Sequence, residues 1–129
     1  MMQGARKETA KGVVGMPVLI VDDDDFLAEA FQMILEDAGF YVETAATGAQ
    51  ALAKAEATQF RLVITDLKLP DIQGDELSHR LKETIPGVTV ILLTGASNAQ
   101  REKAIDRVLK KPIDPLELLR VSTSLSANM

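Results

Sequence analysis

The chain has 129 residues, enough for a single domain with one sizeable core. At 47% hydrophobic and 26% charged residues, it has the composition of a protein that folds. A formal net charge of -5 and a pI near 4.8 exclude broad phosphate-backbone binding, which needs clustered Lys and Arg; the lack of cysteine excludes disulfides, thiolate metal sites and Cys nucleophiles.

The first residues imitate a signal peptide, because Arg6, Lys7 and Lys11 precede the apolar run Val13 to Val21. Asp22 to Asp25 then stand where a cleavage site would need small residues, and nine residues fall short of the about 20 that cross a bilayer. The expectation is a flexible N-terminal tail over residues 1–15 and a single domain over residues 16–127, cytoplasmic and with no membrane segment.

From Met16 onward, short apolar runs alternate with longer amphipathic stretches, the pattern of βα units on a parallel sheet. Strands are expected at Val18 to Val21, Tyr41 to Thr44, Leu62 to Thr65, Val88 to Leu93 and Val108 to Lys110. The first, third and fourth are the most apolar and belong at the centre; the polar second and the short fifth belong at the edges. Leu27, Phe31, Ile34, Leu35 and Ala38 recur at helical spacing, with Gly39 as a C-terminal stop. A second helix spans about Gly48 to Thr58, and a third about Gly74 to Thr84, ended by Pro86-Gly87. Asp114-Pro115 is an N-cap and first-turn pair for a last helix running to about Ser124. The polar stretch Asn98 to Asp106, between strands four and five, leaves room only for a short or mobile fourth helix.

Ligands of an open parallel sheet bind outside the carboxyl ends of its central strands. Asp22 and Asp23 follow strand one, Asp66 strand three, Thr94 strand four and Lys111 strand five, so all should meet at one edge. Carboxylates brought together repel one another and lose hydration, and a hard divalent cation such as Mg²⁺ would compensate. With Lys111 as a second positive charge, such a site suits phosphoryl transfer onto an Asp carboxylate, and the Thr94 hydroxyl can hydrogen-bond a phosphoryl oxygen. His79, the one histidine, reads as part of a solvated helix face.

In these residues the chain resembles the receiver domain of two-component response regulators, across about Met16 to Leu125. Val18-Leu19-Ile20-Val21-Asp22-Asp23-Asp24 is similar to that family's first strand and acidic pair. Leu62-Val63-Ile64-Thr65-Asp66-Leu67-Lys68-Leu69-Pro70 followed by Gly74 is similar to its phosphoacceptor segment, and Ile91 to Gly95 and Lys111-Pro112 complete the match. The resemblance implies a doubly wound, flavodoxin-like five-stranded parallel α/β sheet of order 2-1-3-4-5. It implies Asp66 as phosphoacceptor, with Thr94 and Lys111 contacting the phosphoryl group. It implies Mg²⁺ (or Mn²⁺) held directly by Asp23 and Asp66, through water by Asp22, and by the backbone carbonyl of Lys68. The partners implied are a sensor histidine kinase or phosphotransfer protein as donor and a downstream protein target, with no direct nucleic-acid contact. It implies no enzyme activity beyond the domain's own phosphorylation and dephosphorylation.

Two features depart from the family pattern. The stretch from Thr94 to Lys111 is several residues shorter than usual, and Val108 stands where many members have Tyr or Phe. They point to signalling through order and disorder of Gly95 to Asp106. Asp22 and Asp24 are also similar to the paired aspartates of haloacid-dehalogenase-like phosphatases, but Phe26 breaks that pattern and the length leaves little room for the later motifs. A receiver-like contact module that is not phosphorylated is the other alternative. With no output segment expected after Leu125, the chain reads as a stand-alone regulator or a piece of a longer one.

Overall fold

The computed structural model describes residues 14–95 and 104–126. The elements run β1 (Pro17–Val21), α1 (Asp25–Asp37), β2 (Tyr41–Ala45), α2 (Gly48–Ala57), β3 (Leu62–Asp66), α3 (Gly74–Thr84), β4 (Thr89–Thr94), β5 (Arg107–Lys110) and α4 (Pro115–Ser126). All four strand pairings are parallel and the order is β2-β1-β3-β4-β5. The polar second strand and the short fifth strand are the edges, as their composition required.

Side chains alternate across each strand, so the sheet divides its apolar residues between two layers. Val18, Ile20, Leu62, Ile64, Ile91 and Leu93 pack with Phe31 and Leu35 of α1 and Leu118 and Val121 of α4 on one face. Leu19, Val21, Val63 and Val90 pack with Ala51 and Ala55 of α2 and Leu77 and Leu81 of α3 on the other. Burying each large side chain, such as the fully enclosed Phe31, stabilises the fold by about 1.5–3 kcal/mol.

Helix ends follow the local chemistry. Gly39 has φ 112°, a left-handed conformation that glycine adopts without steric cost and that stops α1. Asp114 accepts from the Leu116 amide at 2.9 Å, capping α4, which runs to Ser126 because Leu125 still reaches the core. The expected short helix within 98–106, the proposed order–disorder segment and most of the N-terminal tail fall largely or wholly outside the described residues; Ala104, Ile105 and Asp106 are described and lead into β5 without a helix.

Candidate functional site

The site forms where β1, β3, β4 and β5 end. The acidic run after β1, which looks uniform in sequence, is divided by the turn into different tasks. Asp24 becomes the N-cap of α1, its carboxylate accepting from the Leu27 amide at 3.2 Å, and Asp25 occupies the first helical turn, where a negative charge complements the helix dipole. Asp22 and Asp23 are left to face the sheet edge. Asp22 is buried, 2% exposed, and its Oδ1 accepts from the Asp24 amide at 2.9 Å; Asp23 is exposed.

Asp66 is the last residue of β3, and its half-buried carboxylate joins them. Oxygen atoms of Asp22, Asp23 and Asp66 all lie within 4.8 Å of one another. Lys111, the first residue after β5, sends its ammonium to 3.1 Å from Asp66 Oδ1 and 3.7 Å from Asp22 Oδ2. Its backbone is held there by a 2.8 Å bond from its amide to the Thr94 carbonyl. Thr94 ends β4 and is buried. Lys68 lies in the β3–α3 loop, paired with Gln73 across it.

Gly74 sets how close α3 begins to the acidic residues. Its amide donates to the Leu67 carbonyl at 2.6 Å. A Cβ at this position would run into the Asp66 carbonyl oxygen and come within 2.9 Å of Leu92 Cδ1. His79 is an exposed residue of α3 beside a surface groove, away from the acidic cluster.

Electrostatics leave the cluster short of positive charge, since three carboxylates face one ammonium. Burial pushes the Asp22 carboxyl above its ordinary range; the Asp24 amide and Lys111 oppose the shift, while Asp66 and Asp23 add to it. The Oδ2 of Asp22 is buried and accepts no hydrogen bond, a costly state for an ionised oxygen. An all-oxygen donor set with surplus negative charge and an unsatisfied buried acceptor fits a hard divalent cation.

Residues 18–122 match the response regulator receiver domain. The chain belongs to the response regulator receiver domain family. This receiver domain is similar to a response regulator receiver domain protein from Methanospirillum hungatei JF-1, with 36% identity and a TM-score of 0.82 over 88% of this chain and 95% of that one. It is similar to a Thermotoga maritima response regulator solved in complex with Mg²⁺–BeF, with 28% identity and a TM-score of 0.76 over 84% and 97% of the two chains. A response regulator receiver protein from Anaeromyxobacter is 38% identical over 100 residues, 74% of this chain and 42% of that protein. The receiver domain thus spans less than half the length of that relative, and 35% of a probable transcriptional regulatory protein of Mycobacterium tuberculosis. Its role is that of a phosphoacceptor in two-component signalling, in which response regulators work with histidine kinases and downstream targets. No helix among the described residues is long and apolar enough to cross a membrane.

Proposed function

We propose that Asp66 is the phosphoacceptor and that the cluster around it binds Mg²⁺ or Mn²⁺. The observation that carries this reading is the approach of Asp22, Asp23 and Asp66 to within 4.8 Å, with the Lys111 ammonium 3.1 Å from Asp66. An oxygen of Asp66 attacks the phosphorus of a phosphohistidine on a sensor kinase or phosphotransfer protein. The P–N bond breaks, a P–O bond forms, and the departing imidazole nitrogen takes up a proton. Water later cleaves the acyl phosphate, restoring the carboxylate and releasing inorganic phosphate.

Asp23, Asp66 and the Lys68 carbonyl would hold the metal directly and Asp22 through water. Bound there, the ion supplies charge neutralisation on the phosphoryl oxygens. Lys111 contributes a second cation at the acceptor oxygen, and Thr94 offers its hydroxyl to a phosphoryl oxygen. The protein catalyses nothing beyond its own phosphorylation and dephosphorylation, works in the cytoplasm, and passes the signal on through a protein target, without direct nucleic-acid or membrane contact.

Phosphoramidate, a small donor with a P–N bond, tests the reading. Protein-bound phosphate that forms with Mg²⁺, is absent with EDTA and is released by mild base is the expected result. A protein that takes up no phosphate at any Mg²⁺ concentration, or takes it up equally in EDTA, would refute it.

A further inference from the structure

The loop between β3 and α3 carries the acceptor strand's end into the Lys68 backbone, and its tip is attached to a helix distant in sequence. Asp71 lies at that tip. Its Oδ1 accepts from the Gly48 amide and its Oδ2 from the Ala49 amide, each at 2.9 Å. The next residue adds a steric contact, since Ile72 Cγ2 fills the space that a Cβ on Gly48 would occupy. The base of the loop is closed separately, by the Gly74 amide on the Leu67 carbonyl at 2.6 Å and the Leu67 amide on the Leu93 carbonyl at 2.9 Å.

Helix α2 also has a local cap of its own. Thr47 is its N-cap and accepts from the Gln50 amide at 3.1 Å, while Gln50 Oε1 accepts from the Ala46 amide at 2.9 Å, a near-reciprocal local cap. Of the two first-turn amides that Asp71 takes, Ala49 is exposed, where water can satisfy its amide, whereas Gly48 is buried and its amide has Asp71 as its partner. A carboxylate brought there from the β3–α3 loop therefore joins the two, satisfying the start of the helix and fastening the loop to it. The two amides, at the positive end of the helix dipole, hold the Asp71 carboxyl below its ordinary range, so the clamp is ionised at neutral pH.

We propose that Asp71 is a positioning residue for the acidic site: by clamping the loop tip to the first turn of α2, it fixes the Leu67 to Gln73 backbone, and with it the Lys68 carbonyl, in the register the metal needs. The proposal rests on the function proposed above. Outer groups that orient metal ligands typically change metal affinity about 10- to 100-fold when removed. Asp71→Ala should act likewise although its side chain touches neither metal nor phosphate.

The test compares wild type, Asp71→Ala and Asp71→Asn, with Mg²⁺ affinity read by calorimetry and amide exchange followed without metal. Asp71→Ala should weaken Mg²⁺ binding about 10-fold or more and speed exchange over residues 68–73. Asp66 should still be phosphorylated by acetyl phosphate when Mg²⁺ is raised to saturation, a change in the Mg²⁺ requirement rather than in the limiting rate. Asp71→Asn, which keeps one acceptor oxygen, should fall between. A folded Asp71→Ala protein with wild-type Mg²⁺ affinity would overturn the role of Asp71 alone; a wild type that binds no Mg²⁺ would overturn the site assignment and this proposal with it.

Discussion

The ammonium of Lys111 lies 3.1 Å from Oδ1 of Asp66, although their strands are separated by β4. On the proposed assignment of Asp66 as phosphoacceptor, this contact across the sheet edge places the lysine where charge would collect. Lys111→Met should therefore slow phosphorylation by acetyl phosphate about 100-fold, within the range for removing one preorganised electrostatic contact. Lys111→Arg should not restore it, because the planar guanidinium cannot occupy the same point. Initial rates of phosphoprotein formation at saturating Mg²⁺ provide the check.

Asp22 should oppose folding when metal is absent. Its carboxyl is held above the ordinary value of 3.8, chiefly by burial. Between that value and the raised one, the folded protein keeps a proton that the unfolded chain has released. The contribution of Asp22 to stability is thus full below pH 3.8 and declines as pH rises through the raised value. Asp22→Asn should stabilise the metal-free protein near neutrality by about 1 kcal/mol or more, the scale of an unsatisfied buried polar atom, while weakening Mg²⁺ binding. Urea unfolding with and without Mg²⁺, across pH, measures both effects.

Asp71 acts in the opposite sense. Its carboxyl is held below 3.8 by the Gly48 and Ala49 amides, so its stabilising contribution is present above that value and is lost as pH falls through the lowered one. Asp71→Asn should be less stable than wild type near neutrality and should lose less stability on acidification below pH 3.8. Thermal melts across that pH range should show the two curves converging.

Gly74→Ala should damage both fold and site. The added methyl meets the Asp66 carbonyl oxygen, Leu92 Cδ1 at 2.9 Å and Leu67 Cα at 3.0 Å, an overpacked contact expected to cost about 1–3 kcal/mol. Gly87→Ala, with nothing within 4 Å of its Cβ, should leave the melting temperature nearly unchanged. Thermal unfolding of the two variants side by side checks the contrast.

Much of this was legible in the sequence because the signals were local. Apolar density separated the central strands from the edges, and helical spacing placed Phe31 and Leu35 inward, where both are fully buried. The expected start of strand four at Val88 differs by one residue from the observed Thr89, as strand ends depend on pairing geometry. The meeting of Asp22, Asp23, Asp66 and Lys111 was legible because strand ends in a parallel sheet share one edge. The division of labour within the acidic run was not, since four identical side chains carry no mark of which one will cap α1. Nor was the Asp71 clamp: its partners lie 22 and 23 residues away in the first turn of α2, and no sequence period links the two.

The most direct test of the assignment is peptide-mapped mass spectrometry after incubation with acetyl phosphate and Mg²⁺, on wild type and on Asp66→Asn. One phosphoryl group located on Asp66, absent without Mg²⁺ and absent from the variant, is the predicted result. A phosphoryl group mapped to another residue, or gained equally by Asp66→Asn, would contradict it.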